Sequence, residues 1–147
     1  MYIADGKTNG PAFSWPDGKR IAVMVTFDYD AEFLRISRAK SKGTTIGFTD
    51  FSRGQYGPHE GLARCLNMLD TMNIKSTFFV PGAVIETYRD TVEEIHRRGH
   101  ELACHGYRHE SDPELSREEM IKILDKSEAL LVEITGKKPV GHRAPES

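Results

Sequence analysis

His105-Gly106-Tyr107-Arg108-His109 sets two imidazoles four residues apart, and far upstream Asp28-Tyr29-Asp30 sets two carboxylates two apart. The acidic pair directly follows the apolar run Ile21–Phe27. Two histidines and one aspartate supply three protein ligands to a divalent metal and leave one position open for water. That is the pattern of a catalytic zinc site rather than a structural one. The other aspartate is then free to act as a base. If strand geometry persists through residues 28–30, both carboxylates lie on one side. A tight turn there would change that, so spacing alone leaves open which aspartate binds.

The elements that must position these groups alternate in type. Ile21–Phe27 is nearly continuous apolar sequence, as in a strand buried on both faces. Leu62, Cys65, Leu66, Leu69 and Met72 follow helical spacing. Ser76–Val80 reads as a second strand, closed by Pro81-Gly82. Asp90 and Glu93 have capping-box spacing, and Gly99 ends the helix they open. Glu101–Cys104 is a third strand. Ser116 and Glu119 form another capping box, ahead of Met120, Ile123, Leu124, Leu131 and Ile134, and Gly136 closes that helix. Pro139–His142 reads as a fourth strand, with Pro suited only to its start.

This alternation implies an α/β fold with a parallel sheet and right-handed crossovers. In such folds ligand chemistry gathers at the carboxyl ends of strands. Asp28 and Asp30 follow strand one, His105 and His109 follow strand three, and His142 and Arg143 close strand four. All therefore fall at one end of the sheet, which the strand pattern did not require. The stretch from Tyr29 to Pro58 is long for a connection, and such lengths are usually functional loops or disorder. It contains Ser52-Arg53-Gly54-Gln55-Tyr56-Gly57, so Arg53 and Tyr56 are candidates to line a substrate cleft.

Composition narrows the class. At 147 residues, 38% hydrophobic and 29% charged, the chain is one globular domain with a core and not a disordered segment. A formal charge of −2 without a basic stripe argues against a nucleic-acid partner. Residues 1–18 are polar, read as an N-terminal extension, and lack the pattern of a signal peptide. No run is long enough to span a membrane. A cytoplasmic location without a membrane partner is expected. Cys65 and Cys104 are too few for a disulfide framework and read as core thiols. Cys104 should point to the face opposite His105.

Three ordered motifs resemble one known family. Val25-Thr26-Phe27-Asp28-Tyr29-Asp30 is similar to the first motif of the polysaccharide deacetylases, carbohydrate esterase family four, in which Thr-Phe-Asp-Asp-Gly is usual. His105-Gly106-Tyr107-Arg108-His109 resembles their second motif, and Gly141-His142-Arg143-Ala144-Pro145 their third. Phe78-Phe79-Val80-Pro81-Gly82 and Gly99-His100-Glu101 resemble the cytoplasmic peptidoglycan-deacetylase-like and cyclic-imide-hydrolase-like branch. The resemblance runs from Lys19 on, so residues 19–147 are expected to form part of a catalytic domain.

The resemblance implies a partial (β/α) barrel and a metal-dependent hydrolase of non-peptide C–N bonds. It makes Asp28 the base and Asp30, His105 and His109 the ligands of a divalent metal, zinc first. It makes Arg143 the residue that orients Asp28 and keeps it ionised, and places Tyr107 and Pro145 beside the substrate. Tyr29 between the acids fits the imide-hydrolase-like branch, so a small cyclic amide or imide is expected over an N-acetylated sugar polymer. Glu146 stands where an aromatic usually follows Pro145, an unfavourable charge beside an oxyanion. The chain stops at Ser147, before the family's two later motifs, and four strands cannot close a barrel. A fragment, a truncated product, or a half-barrel completed as a homo-oligomer is therefore expected. Two other readings remain: a metal- or partner-binding half-domain without turnover, and a metal-free allantoinase-like relative. The intact Asp30, His105 and His109 set speaks against the last.

Overall fold

The computed structural model describes residues 15–110 and 115–146. Strands β1 (Thr26–Asp28), β2 (Thr77–Val80) and β3 (Glu101–Cys104) form a parallel sheet in that order. Thr26 pairs with Thr77 and Thr77 with Glu101, so the carboxyl ends of all three strands lie level. Helices α1 (Phe33–Ser41), α2 (Phe48–Tyr56), α3 (Leu62–Thr71), α4 (Gly82–Thr87), α5 (Arg89–Arg97) and α6 (Arg117–Thr135) fill the connections. A 3₁₀ turn covers Pro16–Gly18. No helix among the described residues is long and apolar enough to cross a membrane.

The core forms where the apolar periodicities meet. Phe78 and Val80 from β2, Leu66 and Leu69 from α3, Val92 and Ile95 from α5, and Leu131 from α6 are all buried together. Phe27 stacks on Phe78 with ring centroids 4.9 Å apart. Cys104 joins this core, as expected of a thiol facing away from His105, and burial pushes its pKa up. Cys65 is half-buried on α3, and both thiols are free. Helix α6 starts as its sequence requires: Ser116 accepts from the Glu119 amide while the Glu119 side chain returns to the Ser116 amide. It ends on left-handed Gly136, whose N–H donates to the Val132 carbonyl.

Four expectations are corrected. The first strand is shorter than Ile21–Phe27. Pairing begins where the Thr77 amide meets the Val25 carbonyl, and Ile21, Val23 and Met24 are 73%, 78% and 87% exposed. β1 is an edge strand of the sheet. The fourth strand is a single bridge, His142 to Cys104. Pro139 cannot donate to a ladder and Val140 is exposed. The long connection after Tyr29 is not a loop but α1, α2 and a π-helical turn at Gly57–Gly61. Asp90 caps nothing: α5 opens one residue earlier, at Arg89, with no side-chain cap. Glu93 is drawn instead to Arg89, 2.8 Å away, and Thr91 bonds the Tyr88 carbonyl.

Tyr29 ties β1 to this core. Its amide donates to the Phe79 carbonyl at 2.8 Å, continuing the ladder, and its buried ring reaches α5, where the hydroxyl meets Thr91 Oγ1 at 2.9 Å. Burial pushes the phenol up to about 12 from an ordinary 10.0. The folded state therefore keeps a proton that the unfolded chain releases first. The associated stability is complete below pH 10 and is lost as pH rises toward 12, by about 2–3 kcal/mol. Tyr29→Phe should flatten this part of the alkaline loss, at a cost of about 1 kcal/mol at neutral pH for the hydrogen bond. Urea unfolding of both proteins at pH 8 and pH 11 measures it. Equal alkaline losses would refute the assignment.

Candidate metal centre

Strand alternation carries one residue beyond β1. Tyr29 turns into the core, so Asp28 and Asp30 emerge on the other side at the carboxyl end of the sheet. The chain then turns sharply. Ala31 adopts φ +49°, and the Phe33 amide donates to the Asp30 carbonyl at 3.0 Å, leading into α1. A left-handed alanine is costly, and here it belongs to the turn that leads from β1 into α1.

The histidine pair is presented by a loop rather than a helix. It leaves β3 at Cys104 and turns at Gly106 (φ +69°), a conformation that suits glycine. Both lone-pair-bearing carbonyls of the turn are held: Gly106 by the Gly82 amide at 3.1 Å and by Ser127 Oγ at 2.9 Å, and Tyr107 by the Ala83 amide at 2.8 Å. The approach is so close that a Cβ on Gly82 would sit 2.6 Å from the Tyr107 ring. Glu110 closes the loop by accepting from the Tyr107 and Arg108 amides at 3.0 and 2.8 Å. His109 itself has φ +60°, and Ser37 of α1 donates to its carbonyl at 2.6 Å.

These two segments bring Asp30, His105 and His109 together. One ligand atom from each lies within 4.8 Å of the others. His105 Nε2 is 3.5 Å from Asp30 Oδ1, and His109 Nε2 is 3.8 Å from Asp30 Oδ2. Ligand atoms about 2.1 Å from a tetrahedral ion stand about 3.4 Å apart, so the spacing fits. The hydrogen bonding fits as well. His105 Nδ1 lies 2.7 Å from the Arg143 carbonyl, which only accepts, so Nδ1 carries a proton and Nε2 is the nitrogen turned toward Asp30, free to ligate a metal. Asp30 Oδ1 and His109 Nδ1 are buried without a hydrogen-bond partner. Burial raises the Asp30 pKa, opposed by His105 and His109 and reinforced by Asp28. A divalent cation would satisfy the lone pairs converging here.

Asp28 stands beside this group without joining it. Arg143 donates from Nη1 to Asp28 Oδ1 and from Nη2 to Thr26 Oγ1, the latter at 2.9 Å, and its Cζ lies 4.0 Å from the centre of the Phe79 ring. The bridge at His142 sets this up: the Cys104 amide donates to Gly141, and the Arg143 amide returns to Cys104, both at 3.0 Å.

The polysaccharide deacetylase family model matches residues 16–147. The chain belongs to the polysaccharide deacetylase family. It is 35% identical over 129 residues to a peptidoglycan deacetylase-like protein of Gibberella zeae, covering 86% of this chain and 38% of that one. It is 35% identical over 96 residues to a peptidoglycan deacetylase of Helicobacter pylori, covering 65% of this chain and 33% of the relative. Among solved structures, a Mycobacterium smegmatis protein assigned to the polysaccharide deacetylases superposes with TM-score 0.81 at 40% identity, over 94% of this chain and 48% of that one. The chain thus spans well under half the length of these curated relatives, and its three strands with alternating helices are part of the family's (β/α) barrel.

The remaining candidates are dispersed. Pro145 is buried beside Gly106. Tyr107 turns from the ligands toward α4 and α6, where its hydroxyl meets Glu86 at 2.6 Å and Lys126 lies over its ring. Arg53 faces Asp50 at 3.7 Å, and exposed Tyr56 lies against Gly61. None of these four lines the cleft of about 220 Å³ that opens over Asp28, Asp30, His105 and His109. Arg38 and Glu146 do, together with Leu34 and Ala144. Arg38 carries no motif, and Glu146 was legible only as an unexpected charge after Pro145.

Removing one ligand should be decisive. His105→Ala should weaken binding of Zn²⁺ or Co²⁺ by more than about a hundredfold, beyond what loss of an outer hydrogen bond typically costs. Titration calorimetry on the folded variant measures it. Undiminished affinity would exclude this corner as the metal centre.

Proposed function

We propose that this protein is a metal-dependent hydrolase of non-peptide C–N bonds, with zinc as the ion and the N-acetyl group of an amino sugar as the substrate. The observation that carries this reading is the convergence of Asp30, His105 and His109 beside an Arg143-held Asp28. Two nitrogens and one carboxylate with a position left open suit zinc in a catalytic setting. Bound there, zinc lowers the pKa of a water molecule and polarises an amide carbonyl.

The other roles belong to the chain. Asp28 takes the proton of the attacking water: Arg143 holds its Oδ1, and the residue lines the cleft beside the ligand set. Arg143 holds Asp28 by a charge-assisted hydrogen bond and so orients it. Thr26 and the Phe79 ring keep that guanidinium in place. Asp30 and His105 orient the centre, with the Arg143 carbonyl fixing the His105 tautomer.

Two considerations favour an N-acetylated sugar over a cyclic imide. Relatives at 35% identity are named as peptidoglycan deacetylases or deacetylase-like. Tyr29, the residue that pointed to the imide branch, packs into the core against Thr91 and is absent from the cleft lining. The cytoplasmic and homo-oligomeric expectations have narrower support. Free thiols at Cys65 and Cys104 suit a reducing compartment. Exposed Ile21, Val23 and Met24, just before the edge strand β1, suit contact with further protein.

Asp28→Asn tests the assignment. The variant should keep its zinc, by elemental analysis, while acetate release from N-acetylglucosamine oligomers falls by about 10²–10⁴-fold. Loss of zinc together with activity would move the ligand role to Asp28. Turnover of cyclic imides with no acetate release by the unsubstituted protein would overturn the substrate, and zinc binding with no amide turnover would leave a metal-binding domain.

A further inference from the structure

The cleft over the ligand set does not end there. Its far wall is formed by Arg38 of α1 and Glu146, which follows the Arg143 segment. Arg38 and Leu34 also line a second cavity, of about 300 Å³, between α1 and α2. Leu34 and Arg38 are therefore a wall common to both cavities. Charge across the two is uneven. Asp28 and Asp30 mark the hydrolytic end, whereas Arg35, Arg38 and Lys42 line the other against a single carboxylate, Asp50.

Glu146 shows what Arg38 is shaped to take. Arg38 Nε and Nη2 lie 2.8 and 3.3 Å from the two Glu146 oxygens, a two-pronged grip on a carboxylate. Glu146 reaches it from a left-handed backbone, φ +58°. The two side chains are 58% and 39% exposed, so their pair contributes little stability and an incoming anion can replace it at small cost. The site therefore offers a carboxylate position within the cleft that also holds the reacting corner.

We propose that this cleft selects an N-acetyl sugar that also bears a carboxylate, with Arg38 as the specificity-determining residue and Glu146 as its internal competitor. The proposal rests on the hydrolase reading and specifies its substrate. Arg38 grips the carboxylate from one side while the acetamido group lies over Asp28 and the ligand set. A neutral amino sugar fills the same cleft without displacing Glu146.

N-Acetylmuramic acid and N-acetylglucosamine are suitable probes, because they differ by one carboxylate-bearing ether. Their affinities are measured by ligand-observed NMR on the metal-free and zinc-loaded chain, so the result does not depend on turnover. N-Acetylmuramic acid should bind several-fold tighter in both states, since Arg38 is outside the ligand set. Arg38→Gln should lower its affinity about tenfold and leave N-acetylglucosamine within twofold. Arg38→Lys should fall between, keeping charge without the planar fork. Glu146→Gln should strengthen N-acetylmuramic acid alone. Circular dichroism checks that these surface variants are folded. If both sugars bind and their ratio ignores Arg38 and Glu146, the proposal is wrong while the hydrolase reading stands. If neither sugar binds in either state, the sugar reading fails and this proposal falls with it.

Discussion

A carboxylate with little access to water faces two imidazole nitrogens across less than 4 Å, and the local backbone is bent to keep it so. His105 cannot relieve the arrangement by switching tautomer, because the Arg143 carbonyl holds a proton on its Nδ1. Its Nε2 therefore stays turned toward Asp30 Oδ1, a buried oxygen without a hydrogen-bond partner. Such an arrangement is unfavourable without a positive charge between the groups. Two non-glycine residues at this corner, Ala31 and His109, take left-handed conformations that cost of order 1–3 kcal/mol each. Packing on every side sustains that strain. Tyr29 anchors one flank to α5, and the Gly106–Tyr107 turn anchors the other to the start of α4 and to Ser127 of α6.

The sheet matters to this corner mainly as a ruler. Its level register sets Asp28, Phe79 and Ala103 side by side, so that one residue further along each strand the chain can turn toward a common point. Parallel strands leave their carboxyl ends free for such turns because the returning helices take the opposite path. Gly82 then allows the histidine loop to lie directly on α4, where any larger residue would meet the Tyr107 ring or Ser127. The ligand loop is thus fixed by helices that bring no ligand themselves.

What could be read from the chain followed from contacts local in sequence. The aspartates and histidines adjoin strand ends, so their shared side of the sheet was evident from alternation, and Ser116 and Glu119 meet within one helical turn. The family's motifs assigned the roles that spacing alone left open. The unread parts depend on distant partners. Arg38 and Glu146 are 108 residues apart and acquire meaning only when α1 folds back over the site. Tyr29 looked like a mark of substrate class because its core partner, Thr91, lies 62 residues away. The length of β1 was misread because hydrophobicity signals burial without saying what does the burying. Asp90 and Glu93 had the right spacing, yet Arg89 competed for Glu93 and moved the helix start.

Arg143 joins the two halves of the chemistry. Its carbonyl orients a metal ligand and its guanidinium holds the base, so His105 and Asp28 share one residue as their reference point. That residue is itself located by a very small piece of regular structure, the isolated His142–Cys104 bridge. The hydrogen bonds on either side of it, from Cys104 to Gly141 and from Arg143 back to Cys104, leave Arg143 little freedom to slide along the sheet. Stacking on Phe79 and the bond to Thr26 then fix its side chain against β2 and β1. All three strands therefore converge on one arginine. Through it the base on β1 and the ligand that follows β3 are referred to one position.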